Sequence, residues 1–330
     1  MMLSQITQKI LVKTFIAAGS VCLLLYPSLV HSAPPSPSVT QNSSKLDETA
    51  IEEEKPIYPI AEKLIRANGL DDHPWLAKVE NEFDTNAFAQ GVNQITIFNG
   101  LLDQVDGDPD ALAGILAHEI AHHTLRHHYW RTAFVAKLIK QLETEVDTEV
   151  QGLISVETKK FNADKNLKSR RKSLCQNQAS SQYRILNCQG EPDTDKLELI
   201  KQKITAEKQA KFESAAKQLI RQQEFEADAQ GYFYMVKAGY NPEGLLRVFN
   251  LMSRLPYVDA DDSTHPSFVD RINAIKALMK KYPPSTLVEE GAIRLRQNPQ
   301  PLTFGVSRDG ESLRINSRFG SQQTQSKADN

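Results

Sequence analysis

Five of the chain's eight histidines crowd into the stretch GILAHEIAHHTLRHH, Gly114 to His128, around a single glutamate. His118 and His122 are four residues apart, so on a helix their imidazoles leave the same face one turn apart and can share one metal ion. Glu119, beside the first, can reach a water on that ion. In the zinc-hydrolase pattern His-Glu-x-x-His, two histidines hold the metal and the glutamate is the general base. His123, His127 and His128 suit a solvated or capped face better. A third ligand is still needed. His128 stands six residues beyond His122, where a metzincin has its third histidine, but that arrangement turns the chain on a glycine, and position 125 is Leu125. The segment EFEAD, Glu224 to Asp228, is the better source. Two carboxylates four apart on a helix repel weakly, and a nearby cation reverses the sign. The simplest arrangement puts Glu224 on zinc and Asp228 behind it, accepting an N–H from a ligating histidine and fixing its tautomer, while Glu226 points elsewhere on the helix.

These residues need rigid elements to hold them. Asp108 followed by Pro109 supplies an N-cap and a proline at the first helical position, and Leu112, Ile115, Leu116 and Ile120 sustain helical spacing into the histidines. Upstream, turn residues Asn86, Gly91 and Asn93 precede the alternating run Ile95-Thr96-Ile97-Phe98, which predicts a short strand. Glu224 and Asp228 lie in a second helical pattern that ends at Gly239, after which Asn241 and Pro242 start another helix. The fold class is therefore α+β, mainly α. Residues 129–201 are charged, carry a basic run at 165–172, and read as a solvated insertion; joining the two ligand-bearing helices, it could lie over the cleft as a lid.

The flanks bound where the protein works. Lys9 and Lys13 precede an uncharged, largely apolar run from Thr14 to Val30, so residues 1–32 read as a cleavable signal peptide and the protein as exported to a periplasm or an equivalent envelope or lumenal compartment. The run is shorter than the roughly 20 residues of a spanning helix and contains Pro27. Cys22 lacks the small residue that precedes a lipoprotein cysteine. Residues 33–52, rich in Pro, Ser and Thr, form a flexible linker. Cys175 and Cys188 are expected to pair in an oxidising compartment, closing a short loop at a gain of about 3 kcal/mol. The chemistry is expected within 53–283. The tail, 284–330, loosens except for a hairpin over 302–316 about Asp309-Gly310 that pairs Val306 with Leu313 and Phe304 with Ile315. A formal charge of -2 gives no electrostatic case for nucleic acid, nor for peripheral contact with an anionic membrane.

Taken together, NAFAQG (86–91), GLL (100–102), HEIAHHTLRH (118–127), EFEAD (224–228), AGYNP (238–242) and STHPSFVDRI (263–272) resemble the zinc metallopeptidases that include HtpX, BepA and the CAAX prenyl endopeptidases. The resemblance implies a zincin-like domain with a small sheet whose edge strand borders the active-site cleft. It also implies one zinc ion held by His118, His122 and Glu224, with Glu119 as catalytic base. It adds His265 and Arg271 near the metal, which spacing does not reveal. His265, just before Pro266, is expected either to donate to the oxyanion or to gate the zinc, with Arg271 in support. Asn86, Ala87, Ile95 and Ile97 are expected to form the edge on which an extended substrate pairs. The chain departs from HtpX and the CAAX enzymes in having no transmembrane helices after its leader, and from BepA in having no tetratricopeptide tail. The implied function is a zinc endopeptidase that degrades unfolded, damaged or unassembled proteins in envelope quality control. The rival is a holdase-like binding protein with a latent or structural zinc site, against which Glu119 stands, since a structural site needs no base.

Overall fold

The structure, a computed structural model, describes residues 56–164, 184–187, 189–255 and 265–320, and these fall into two compact units. Both cysteines expected to pair, the leader, the linker and the basic run at 165–172 lie outside the described residues.

The larger unit carries helix α1 (Tyr58–Ala67), then β1 (Trp75–Glu80), β2 (Ala87–Gln90) and β3 (Gln94–Phe98), the short α2 (Asn99–Gln104), and α3 (Pro109–Thr124), which holds the histidines. Helix α4 (His127–Ala163) begins here, and the end of α5 (Thr194–Lys237) returns. It is followed by α6 (Glu243–Met252), α7 (Phe268–Lys281), α8 (Pro284–Gln297) and the hairpin β4 (Phe304–Val306) and β5 (Leu313–Ile315). The five strands form one mixed sheet in the order β2-β3-β1-β5-β4. β1 and β3 run parallel, and every other neighbouring pair is antiparallel. The described residues are mainly helical, with one small mixed sheet.

Two expectations change. Ile95 and Ile97 do not form a substrate edge: β3 is flanked by β1 on one side and β2 on the other, and both side chains are buried in the core. The edge on that side of the sheet is β2, and β4 is the edge at the other end. The alternation that reads as an exposed strand is in fact a strand filled from one face by core and closed on both sides by neighbours. Second, residues 284–315 are not a loose tail. Helix α8 buries Leu287 and Gly291, and β5 pairs with β1, so the hairpin completes the central sheet. Its register, Phe304 with Ile315 and Val306 with Leu313, is the one the apolar alternation predicts. The unit therefore extends well past 283.

Helix α3 is buried on every face from Ala111 to Ala117, and again at Ile120 and Ala121, as expected of a helix that runs through a core rather than along a surface. Asp108 caps it, accepting the Ala111 amide at 3.0 Å, with Pro109 at the first helical position. Such a cap stabilises by about 1 kcal/mol. Small residues let other helices come close. A Cβ on Gly231 of α5 would stand 3.1 Å from the His118 amide nitrogen, so this glycine allows the two ligand-bearing helices to touch at the ligand itself.

The second unit, 130–218, comprises most of α4, the first part of α5 and the described residues between them. The expected solvated insertion is instead two long helices with an apolar core of their own, built from Leu142, Val146, Val150, Phe161, Ile185, Leu186, Ile200, Ile204 and Phe212. The sparse apolar residues sit at helical spacing along one face of each helix, which a count of charges hides. Among the described residues, no helix is long and apolar enough to cross a membrane.

Candidate metal centre

His118 and His122 leave α3 on one face, and their Nε2 atoms stand 3.1 Å apart. Glu224, on α5, brings one carboxylate oxygen to 3.6 Å from His118 Nε2 and the other to 3.5 Å from His122 Nε2. Four-coordinate zinc with bonds near 2.1 Å sets its ligand atoms about 3.4 Å from one another. The three gaps bracket that spacing. Two neutral imidazole nitrogens and one carboxylate oxygen are also the donor set that zinc takes in catalytic sites, three protein ligands with a position left for water or substrate. The residues fit the ion, and among the described residues they form the group able to hold one.

Around the ligands the polar groups are buried and matched. His118 Nδ1 lies 2.9 Å from Asp228 Oδ1. Arg271 then grips Asp228 with a two-pronged contact, Nε to Oδ2 at 2.7 Å and a terminal nitrogen to Oδ1 at 2.6 Å. Its remaining nitrogen reaches Glu224 at 3.4 Å, and its guanidinium lies over the ring of Phe249. His265 Nδ1 stands 3.3 Å from Glu224 Oε2. His265 and Arg271 thus lie beside Glu224, and Asp228 lies beside His118 Nδ1. Ser267 caps the helix after His265, accepting the Asp270 amide, and α7 begins at Phe268.

Burial pushes the Glu119 carboxyl up to about 7; Glu224 adds to the rise, while His118, an amide from Ala89 and Arg271 oppose it. Burial would raise Glu224 too, but His265, His122 and Arg271 outweigh it and hold that carboxylate well below its ordinary range. Asp228 is likewise held low against its burial, by Arg271 and His118. The site thus carries two carboxylates kept charged and a third poised to trade a proton near neutrality.

Glu119 also ties the site to the sheet. The Phe98 amide donates to the Asn86 carbonyl at 3.0 Å, so in this antiparallel pair Asn86, Phe88 and Gln90 turn their main chain toward β3 and the alternate residues Ala87 and Ala89 turn theirs outward. The outward amide of Ala89 is the one Glu119 accepts. His123 fastens the other end: its Nε2 meets the Gln94 carbonyl at 2.8 Å and its ring packs edge-on against Trp75. It is a half-buried brace between α3 and β3 rather than a solvated residue. Spacing also missed His127 and Glu226, which meet at 3.2 Å beside His122; the only sequence signal was the density of histidine itself.

An imidazole pair and a remote glutamate around one point, with a buried carboxyl next to the first imidazole, define a metallopeptidase. Residues 52–279 match Peptidase family M48, and the chain belongs to that family, whose members use zinc. The chain is also similar to the mitochondrial metalloendopeptidase OMA1 of Schizosaccharomyces pombe, 33% identical over 75 residues. That stretch covers 23% of this chain and 22% of the relative.

Proposed function

We propose that the protein is a zinc-dependent endopeptidase that cleaves unfolded, damaged or unassembled polypeptides, and that it does so in the exported compartment to which its N-terminal sequence points. The observation that carries the chemistry is the convergence of His118 Nε2, His122 Nε2 and Glu224 on one point with Glu119 beside it. Bound there, zinc supplies Lewis-acid polarisation of a carbonyl and a lowered pKa for water. Glu119 takes the proton from the attacking water and passes it to the leaving amine. Its contact with the Ala89 amide aims the carboxyl along the β2 edge. His265 donates to the carbonyl oxygen as it gains charge, and Arg271 holds Asp228 and Glu224 in place.

The substrate reading rests on β2. Ala87 and Ala89 turn their main chain to the open edge beside Glu119, and a polypeptide added there as a further strand is recognised through its backbone. Backbone pairing requires an extended segment and is tolerant of side chains, which favours unfolded protein over any one sequence. The name of the similar fission-yeast protein, a metalloendopeptidase, supports internal cleavage. The test is to give the zinc-loaded protein the same polypeptide folded and unfolded. Internal cleavage confined to the unfolded form is expected; equal cleavage of both would refute the substrate reading, and suppression of aggregation without cleavage would favour the holdase.

A further inference from the structure

His122 faces the ligand cluster through Nε2, and its other nitrogen, Nδ1, lies 3.0 Å from Nδ1 of His127. His127 Nε2 lies 3.2 Å from Glu226 Oε2, and Gln222 donates to the other Glu226 oxygen at 2.7 Å. We infer that His127 and Glu226 are positioning residues for the metal: through a relay of hydrogen bonds they fix the tautomer and ring plane of His122 and so set how tightly the site holds zinc. The inference rests on the zinc reading of the site.

The atoms allow one consistent assignment. An imidazole that gives Nε2 to a metal carries its hydrogen on Nδ1, and that hydrogen needs an acceptor. His127 Nδ1 is within reach. An imidazole accepting at Nδ1 carries its own hydrogen on Nε2, and Glu226 stands there to receive it. In this assignment each ring carries one hydrogen, His122 on Nδ1 and His127 on Nε2. The two ligand histidines are therefore supported differently: His118 rests directly on the buried carboxylate of Asp228, whereas His122 reaches a carboxylate through an intervening imidazole, and that carboxylate is 46% exposed.

Three further features show that His127 is held in this place by construction. The ring is buried, only 2% of the residue being accessible. The chain reaches it through Arg126, which ends α3 in the left-handed region at φ 55°, a conformation that costs a non-glycine residue about 1–2 kcal/mol. Strain of that kind persists where the surroundings over-determine it, and here it turns His127 back toward His122, with the two rings edge-to-face at 4.9 Å. Finally, Gln223, buried on α5, donates to the His127 carbonyl at 3.3 Å, so the backbone is fixed as well as the ring.

The experiment measures zinc affinity of the full chain by competition with a chromogenic chelator, in wild type, His122→Ala, His127→Leu, His127→Asn and Glu226→Gln. Leucine keeps the bulk and offers no acceptor, whereas asparagine places a carbonyl oxygen near the position of Nδ1. His127→Leu is expected to weaken zinc about 10- to 100-fold, the usual effect of removing such a partner, with His127→Asn restoring most of the loss and Glu226→Gln falling between. Melting of the zinc-free proteins is recorded in parallel, because a merely structural role would lower it in proportion to the loss of zinc affinity. Wild-type zinc affinity in His127→Leu, or equal losses in the leucine and asparagine variants, would overturn the inference while leaving the zinc site intact. Unweakened zinc binding in His122→Ala would overturn the zinc reading itself, and this inference with it. If His127→Leu does not fold, Glu226→Gln decides: weaker zinc supports the relay, and wild-type affinity refutes it.

Discussion

Arg271→Met removes the guanidinium that grips Asp228 at 2.6 and 2.7 Å and leaves the buried carboxylate to its contact with His118. Methionine is unbranched and apolar and takes the place of the guanidinium beside Phe249 and Phe268, so electrostatics dominate. Breaking a buried ion pair from one side costs about 3–5 kcal/mol, most of it the uncompensated charge left behind. Loss of the desolvated contact over the Phe249 ring adds about 2 kcal/mol. Urea unfolding of the zinc-free protein should therefore show a midpoint lowered by an amount equivalent to about 3–5 kcal/mol or more with little change in slope. Adding Asp228→Asn removes the stranded charge, so the double variant should be more stable than Arg271→Met alone. The reasoning is refuted if Arg271→Met loses less than about 1 kcal/mol, the value of an exposed pair, or if the second substitution recovers nothing.

Other expectations are as direct. Asp108 is held below its ordinary range, first by its hydrogen bond to Arg247 and against the burial that would raise it. Its depressed pKa means that the pair's contribution is fully present above the unfolded value near 3.9 and is lost as pH falls through the lower folded value. Asp108→Asn keeps the cap and loses the charge, so its stability deficit in urea should be largest near pH 6 and vanish in strong acid; a deficit independent of pH would contradict this. Gly231→Ala places a methyl 3.1 Å from the His118 amide nitrogen, and the two helices must part by a few tenths of an ångström. A loss of about 1–3 kcal/mol in thermal or urea unfolding is expected, together with weaker zinc binding; a neutral outcome would show the contact to be slack. His265→Ala, if His265 stabilises the oxyanion, should reduce cleavage of an unfolded protein about 100-fold with zinc content unchanged, whereas a gating role predicts faster cleavage.

The ligand set was legible because metal chemistry imposes a strict spacing: two imidazoles four apart on a helix are a local feature, and Asp108-Pro109 marks where that helix starts. Glu224 and Asp228 were legible because the upstream histidine pair needs a third ligand, and a cation turns the weak repulsion of two carboxylates one turn apart into attraction. What lay beyond sequence was tertiary. That β3 is interior, and β2 the edge, depends on β1, the strand before β2 in the chain, joining β3 in parallel on its other side, which no alternation in β3 records. That β5 closes the sheet beside β1 depends on a pairing across most of the chain, although the hairpin's own register was readable from its apolar residues. His127 was hidden for a different reason. It lies five residues from His122, off the helical repeat, and only the left-handed turn at Arg126 returns it to the ligand.

The most direct test of a Glu119-driven zinc peptidase is to measure zinc content and cleavage of an unfolded protein side by side in wild type and Glu119→Gln. One zinc per chain in both, with cleavage in the variant lower by about 100-fold or more, is the predicted result. Equal cleavage in the two proteins, or no cleavage by the zinc-loaded wild type, would contradict the account.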